Sequence, residues 1–235
     1  MNKYSPIFSL GFQQDEQTEL RSKFGGMPWG FPAELWPSED LVLFAQIVHQ
    51  PPMVDLGGEY VLHLWHWCDP NCFMDPPAYE GKRLFSTLLH IDELGNKLTP
   101  PPRNTDLIGE VFIDGWIEKE DGFESFETKF GGEPDWRGTG GAYGLPAKDC
   151  EFIFQTDGRF QMEGALESFE NSGSMLRYSD GKVSGEKSIP NAPLAIGEFR
   201  GKLVITFADF ASDGIAFVFL DKSTSPPTPR WTWSR

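Results

Sequence analysis

The sequence predicts an α+β fold that is β-rich, with mixed or antiparallel sheets and few peripheral helices, and three observations carry that expectation. Seven segments rich in β-branched and aromatic residues are each bounded by Gly, Pro, Asn or Asp. Helical periodicity is confined to two short stretches. The 19 prolines and 25 glycines lie between aromatic-rich segments rather than in one linker, so many short elements should be joined by tight turns. With 235 residues, 39% of them hydrophobic, the chain can bury a sizeable core as a single domain over residues 1–235.

Taken in order, the opening MNKYSPIFSLGFQQDEQTEL lacks the continuous apolar core of a signal peptide, and no apolar run reaches membrane-spanning length. A cytoplasmic chain without a membrane partner is expected. DEQTELRSKF (15–24) offers a short helix with an acidic start. Strands are then predicted at DLVLFAQIV (40–48), EYVLHLWHW (59–67), RLFSTLLHI (83–91), GEVFIDGWI (109–117) and CEFIFQ (150–155). FQMEGALESFE (160–170) has an apolar face over about two helical turns. The polar stretch between Gln155 and Leu203 reads as a loop-rich insertion or small hairpin turning at SDGK (179–182). KLVITFADF (202–210) and GIAFVFLD (214–221) close the series of strands, and the end, STSPPTPRWTWSR, reads as disordered.

Two stretches nearly repeat each other: Lys-Phe-Gly-Gly-x-Pro occurs at Lys23–Pro28 and again at Lys129–Pro134, 106 residues on. Each copy is followed by an apolar run ending in glutamine, at Gln46 and Gln155, 109 residues apart. The preserved offset predicts an internal duplication, with halves near residues 20–117 and 126–222. Two glycines followed by a residue that proline drives toward extended geometry make a tight corner beside a strand. Phosphate-cradling loops instead open a helix and carry their lysine after the glycines. Lys23, Gly25, Gly26, Pro28, Lys129, Gly131, Gly132, Pro134 and Trp136 are therefore expected to be structural, one corner per half.

The arrangement resembles the YwqG-like family, a domain of unknown biochemical function in which Lys-x-Gly-Gly-x-Pro precedes a strand ending in an Ala-Gln-Ile-like triplet. Here these are Lys23, Gly25, Gly26, Pro28 and Ala45-Gln46-Ile47. KFGGEPDW with CEFIFQTD, and then GIAFVFLDKS, resemble the family's C-terminal blocks. The resemblance spans most of residues 20–222; it implies a duplicated, mainly β or α+β fold and no known catalytic residues. The resemblance also implies a role beside secreted bacterial toxins, where domains of this type can serve as immunity proteins.

Motifs for chemistry are sparse. There is no G-x-x-x-x-G-K-[ST], H-E-x-x-H or G-x-S-x-G string, and GTGGAYG (138–144) follows no predicted strand and has the wrong spacing for a dinucleotide loop. No cofactor and no catalytic residue is assigned. The most site-like segment is HLWHWCDPNC, where His63, His66, Cys68 and Cys72 are competent zinc ligands. On a strand His63 and His66 face opposite ways while His66 and Cys68 share a face. A second, more distant resemblance, to the programmed cell death 2 family with its later cysteine pairs, points the same way. The three cysteines, an odd number, are nevertheless expected as free thiols and no metal is assigned, His66, Cys68 and Cys72 remaining the candidate ligands. Cys150 with His49 or His90 as base is a weaker alternative, because it opens an apolar strand.

Charge supplies the remaining clue. The chain carries 35 acids against 20 Lys and Arg, a formal net charge of −15, which argues against nucleic acid and for a basic protein as partner. Seven carboxylates and five large apolar side chains fall in residues 110–127, between the halves. A solvated hairpin accounts for such a window; so does an interface in which Trp116 and Phe123 anchor among Glu118, Glu120, Asp121, Glu124 and Glu127. Joined to the resemblance, the second reading predicts a non-enzymatic immunity protein that occludes a nuclease toxin. The rivals are an intracellular small-ligand or zinc-binding protein and an enzyme using the cleft between the halves.

Overall fold

The computed structural model describes residues 2–11, 18–39, 41–67, 84–103, 106–107, 110–121, 128–135, 150–162, 174–179, 182–187, 194–199, 202–207 and 215–234. Strands dominate them. In chain order these are β1 (Asn2–Gly11), β2 (Lys23–Phe24), β3 (Leu41–Val48), β4 (Tyr60–Trp67), β5 (Leu84–His90), β6 (Asp106–Leu107), β7 (Glu110–Glu120) and β8 (Lys129–Gly131). There follow β9 (Cys150–Thr156), β10 (Arg159–Met162), β11 (Ser174–Ser179), β12 (Lys182–Lys187), β13 (Leu194–Phe199), β14 (Lys202–Phe207), β15 (Ile215–Asp221) and β16 (Thr228–Ser234).

Ten strands form one antiparallel sheet in the order β16-β15-β9-β8-β1-β7-β2-β3-β4-β5. Its two edges approach each other, with Ser86 Oγ on β5 donating to the Pro229 carbonyl of β16 at 3.3 Å, so the sheet is nearly closed into a barrel. The inside holds the main core, drawn from both sides of the sheet: Phe24, Phe44, Leu62, Leu64, Val111, Phe130, Phe154, Phe160, Val218 and Leu220. Two smaller clusters lie apart from it, one of Phe31, Leu41, Leu43, Trp65 and Leu89, the other of Ile215, Phe217 and Phe219. Period-2 alternation explains the division, since successive strand residues point to opposite faces. Two three-stranded sheets, β10-β14-β13 and β12-β11-β6, complete the fold.

All seven predicted strands are present. The hairpin expected at residues 179–182 is present as well, because β11 and β12 pair with Ser179 opposite Lys182. Three expectations need correction. Among the described residues there is no α-helix, only short 3-10 turns at Ala33–Leu35 and Ile91–Glu93. Thr18–Ser22 are irregular and Lys23–Phe24 are strand, while the other predicted helix begins as strand β10; both segments gain more from sheet pairing than from two turns of marginal helix. The C-terminal residues 228–234 are not disordered: Trp231 stacks on Phe44 with ring centres 5.7 Å apart. Apolar burial of that tryptophan outweighs the Pro, Ser and Thr content preceding it.

Candidate functional site

The repeated motif builds two corners. In the first, Lys23 and Phe24 pair with Gln46 and Ala45, and the chain then turns through Gly25 and Gly26 at φ 71° and 69°. In the second, Lys129 and Phe130 pair with Gln155 and Phe154, and the turn runs through Gly131 and Gly132 at φ 65° and 70°. These left-handed values favour glycine because a Cβ crowds the following carbonyl. Each glutamine closes its corner from the neighbouring strand. Gln46 Oε1 accepts from Trp29 N at 2.8 Å and Gln155 Oε1 from Asp135 N at 2.9 Å.

Alternation sends both phenylalanines into the barrel and both lysines to the other face, where each is buried with carboxylate partners. Lys23 Nζ donates to the Met27 carbonyl at 2.6 Å and to Glu110 Oε1. Burial drives the Lys23 amine below its usual range, opposed by the Glu110 charge, and drives the Glu110 carboxyl above its usual range, opposed by Lys23. Lys129 Nζ donates to Asp135 Oδ1 at 3.0 Å and Asp121 Oδ1 at 3.1 Å. Burial acts to raise the Asp121 carboxyl, but the Glu133 N–H and Lys129 overcome it and hold the group below the usual carboxylate range.

His63 lies beside the first corner, opposite Gln46 on β4. It is 0% exposed, 4.8 Å from the Phe31 ring and stacked at 6.3 Å on Trp65. Neither ring nitrogen has a hydrogen-bond partner of normal geometry among the described residues. Burial, reinforced by the Lys23 charge and slightly offset by the Val61 backbone, pushes its pKa down to about 3. Lys23, Glu110 and His63 form the densest set of perturbed acid–base groups described, yet both charged side chains are 0% exposed. What this set does in the described fold is tie β2 to β7.

The expected partner-binding residues divide among different surroundings. Glu118 and Glu120 are exposed near the end of β7, and Glu118 Oε1 accepts from Asn2 Nδ2. Asp121 is turned inward onto the second corner, where it also accepts from Glu133 N at 2.6 Å. Trp116 faces the core, edge-on to Phe130 at 4.8 Å, with its Nε1 donating to Gln50 Oε1 at 3.1 Å. Phe123, Glu124, Glu127 and Trp136 lie outside the described residues, as do Cys68, Cys72 and the stretch 138–144. Pro28 is buried and Pro134 half-buried in their corners.

Of the suggested metal ligands, His66 is half-buried and, by alternation, on the opposite face of β4 from His63. No group of three metal-competent side chains gathers among the described residues. Cys150 packs beside Phe152 on β9, whereas His49 Nδ1 accepts from Leu56 N at 3.0 Å and His90 Nδ1 from Asp92 N at 3.3 Å, both imidazoles serving local turns. The buried acids Glu110 and Asp135 were missed by sequence reasoning as partners of the lysines. Asp135, inside the second motif copy, carried a signal in its position; Glu110, 87 residues from Lys23, carried none.

No family model, curated protein or solved structure matches the chain.

Proposed function

We propose that the chain is a non-enzymatic, YwqG-like protein-binding module that acts in the cytoplasm as the immunity partner of a basic nuclease toxin. One observation carries the reading: burial leaves the negative charge on the outside. Among the residues whose burial is described, Lys3, Lys23 and Lys129 are withdrawn from solvent against Glu110, Asp135 and Asp157, three of each sign, so burial cancels in charge and leaves 14 acids against 6 bases in reach of solvent. Such a field steers a basic partner and speeds its association. Glu118 and Glu120 supply accessible carboxylates, whereas Asp121 and Trp116 belong to the fold. The test is an affinity pull-down of the tagged protein from its host at low and high salt. A basic nuclease, released at high salt and recovered poorly by the Glu118→Lys/Glu120→Lys variant, is the expected result. A specific partner indifferent to salt, or catalytic turnover by the purified protein, overturns it.

The same reading holds that the chain arose by internal duplication. Its support lies in register: the β3–β4 ladder skips Phe44, and the β9–β15 ladder skips Ile153, 109 residues on. The corners correspond, the skipped residues correspond, and His63 opposite Gln46 answers to Phe217 opposite Gln155. The expected halves, 20–117 and 126–222, must then be redrawn so that β1 falls in the first and β7 in the second, which gives five matching strands each. Gly26→Val and Gly132→Val are each expected to cost roughly 1–3 kcal/mol, read as a lowered Tm, from forcing a β-branched residue to positive φ. At Gly132 a side chain also meets the Asp121 carboxylate. An unchanged Tm in one of them sinks the equivalence of the corners.

A further inference from the structure

The two sides of the ten-stranded sheet are not made of the redrawn halves of the chain, with β1–β5 in the first and β7 onward in the second. Outward from the centre, one side runs β7-β2-β3-β4-β5 and the other β1-β8-β9-β15-β16. The first strand of each half therefore lies beside the corner of the other. Lys23 and Phe24 of β2 pair with Phe112 and Val111 of β7, and Tyr4 and Lys3 of β1 pair with Phe130 and Gly131 of β8. We propose that the halves are interlocked by exchange of their first strands, an inference that rests on the duplication reading, so that neither corner is complete without the other half.

Polar closure crosses in the same direction. Glu110, which receives Lys23, belongs to β7, and Ile113 N of β7 donates to the Ser22 carbonyl at 3.0 Å. At the second corner the crossing strand brings Lys3, 1% exposed, into the neighbourhood of Asp121. Packing crosses too. Phe8 of β1, in the first half, meets Phe160 of β10, in the second, edge-on at 5.0 Å. Between the crossing strands, β1 and β7 pair along their length from Asn2 opposite Glu120 to Gly11 opposite Glu110. Halves that each kept their own first strand would meet along a single ladder and separate when it opened. Exchanged halves leave only when their corners unravel, because each first strand is held on both sides.

The experiment uses the whole chain, with a protease recognition sequence inserted after Arg103, which is exposed and precedes β7. The folded protein is cut, then followed by size exclusion and by far-UV circular dichroism through a urea titration. Interlocking predicts that both fragments co-elute at the mass of the uncut protein and that dissociation and loss of strand signal share one midpoint. Dissociation at lower urea, into fragments that retain their strand signal, overturns it. An unchanged Tm in either Gly26→Val or Gly132→Val, with inseparable fragments, would sink the duplication reading while leaving the interlock standing.

Discussion

His63 sits where the other half of the sheet carries Phe217, and the exchange of a phenyl ring for an imidazole has an electrostatic cost. A buried imidazole without a normal hydrogen bond resists protonation, and the native ring stays neutral down to about pH 3 against an ordinary value of 6.5. The unfolded chain binds that proton first. Above pH 6.5 nothing is lost; as the pH falls from there toward 3, the unfolded state is favoured progressively, by up to a few kcal/mol. His63→Phe should remove this acid-side loss. Urea melts near pH 7.5 and near pH 4.5, read against the ordinary imidazole range, should show a variant whose advantage grows at the lower pH. An advantage independent of pH would show that packing alone is responsible. The sequence counted His63 among four zinc-competent side chains but set it on the opposite face from the candidates His66 and Cys68; only the fold revealed the Phe31 and Trp65 rings around it.

At the scale of the element, the two-residue strand β2 is held by chemistry rather than by length. A pair of ladder residues is too short to persist alone, and the Lys23–Glu110 ion pair fastens it to β7. Lys23→Met is expected to cost about 3–5 kcal/mol near neutral pH, because it strands a buried carboxylate. Burial already raises the Glu110 carboxyl, so the cost should shrink as the pH falls and that group takes up a proton. Lys23→Met/Glu110→Leu should recover most of the loss in thermal melts; a double variant no better than the single one would show that the loss does not come from a stranded carboxylate. The longer strands were legible because β-branched and aromatic runs between turn residues have few other uses. Strand β1 was not: NKYSPIFSLG contains a proline and alternates weakly, and it becomes a strand by lying between β7 and β8.

Across the whole molecule, closure depends on the last strand. β16 brings Trp231 onto Phe44 and Pro229 to Ser86, drawing the two edges of the sheet together. Trp231→Ala should cost about 2 kcal/mol, less than a fully buried tryptophan because the residue is only partly buried, and lower the Tm by roughly 4–8 °C. Deleting residues 228–235 removes the edge and should promote aggregation through the unpaired β15, measurable by light scattering. A deletion variant that stays monomeric with an unchanged Tm would show that the edges close without it.

What the sequence determined by itself was local: strands where side chains suit a pleated, half-buried surface, glycine corners where only glycine tolerates the backbone, and an acidic balance of charge. Those properties are written in neighbouring residues. The tertiary structure alone decided which strand lies beside which, that Glu110 meets Lys23, and that Asp121 turns inward instead of outward. The physical reason is range: propensity and turn chemistry act over a few residues, whereas a ladder or an ion pair joins positions 87 apart, and its stability exists only once the intervening chain has folded.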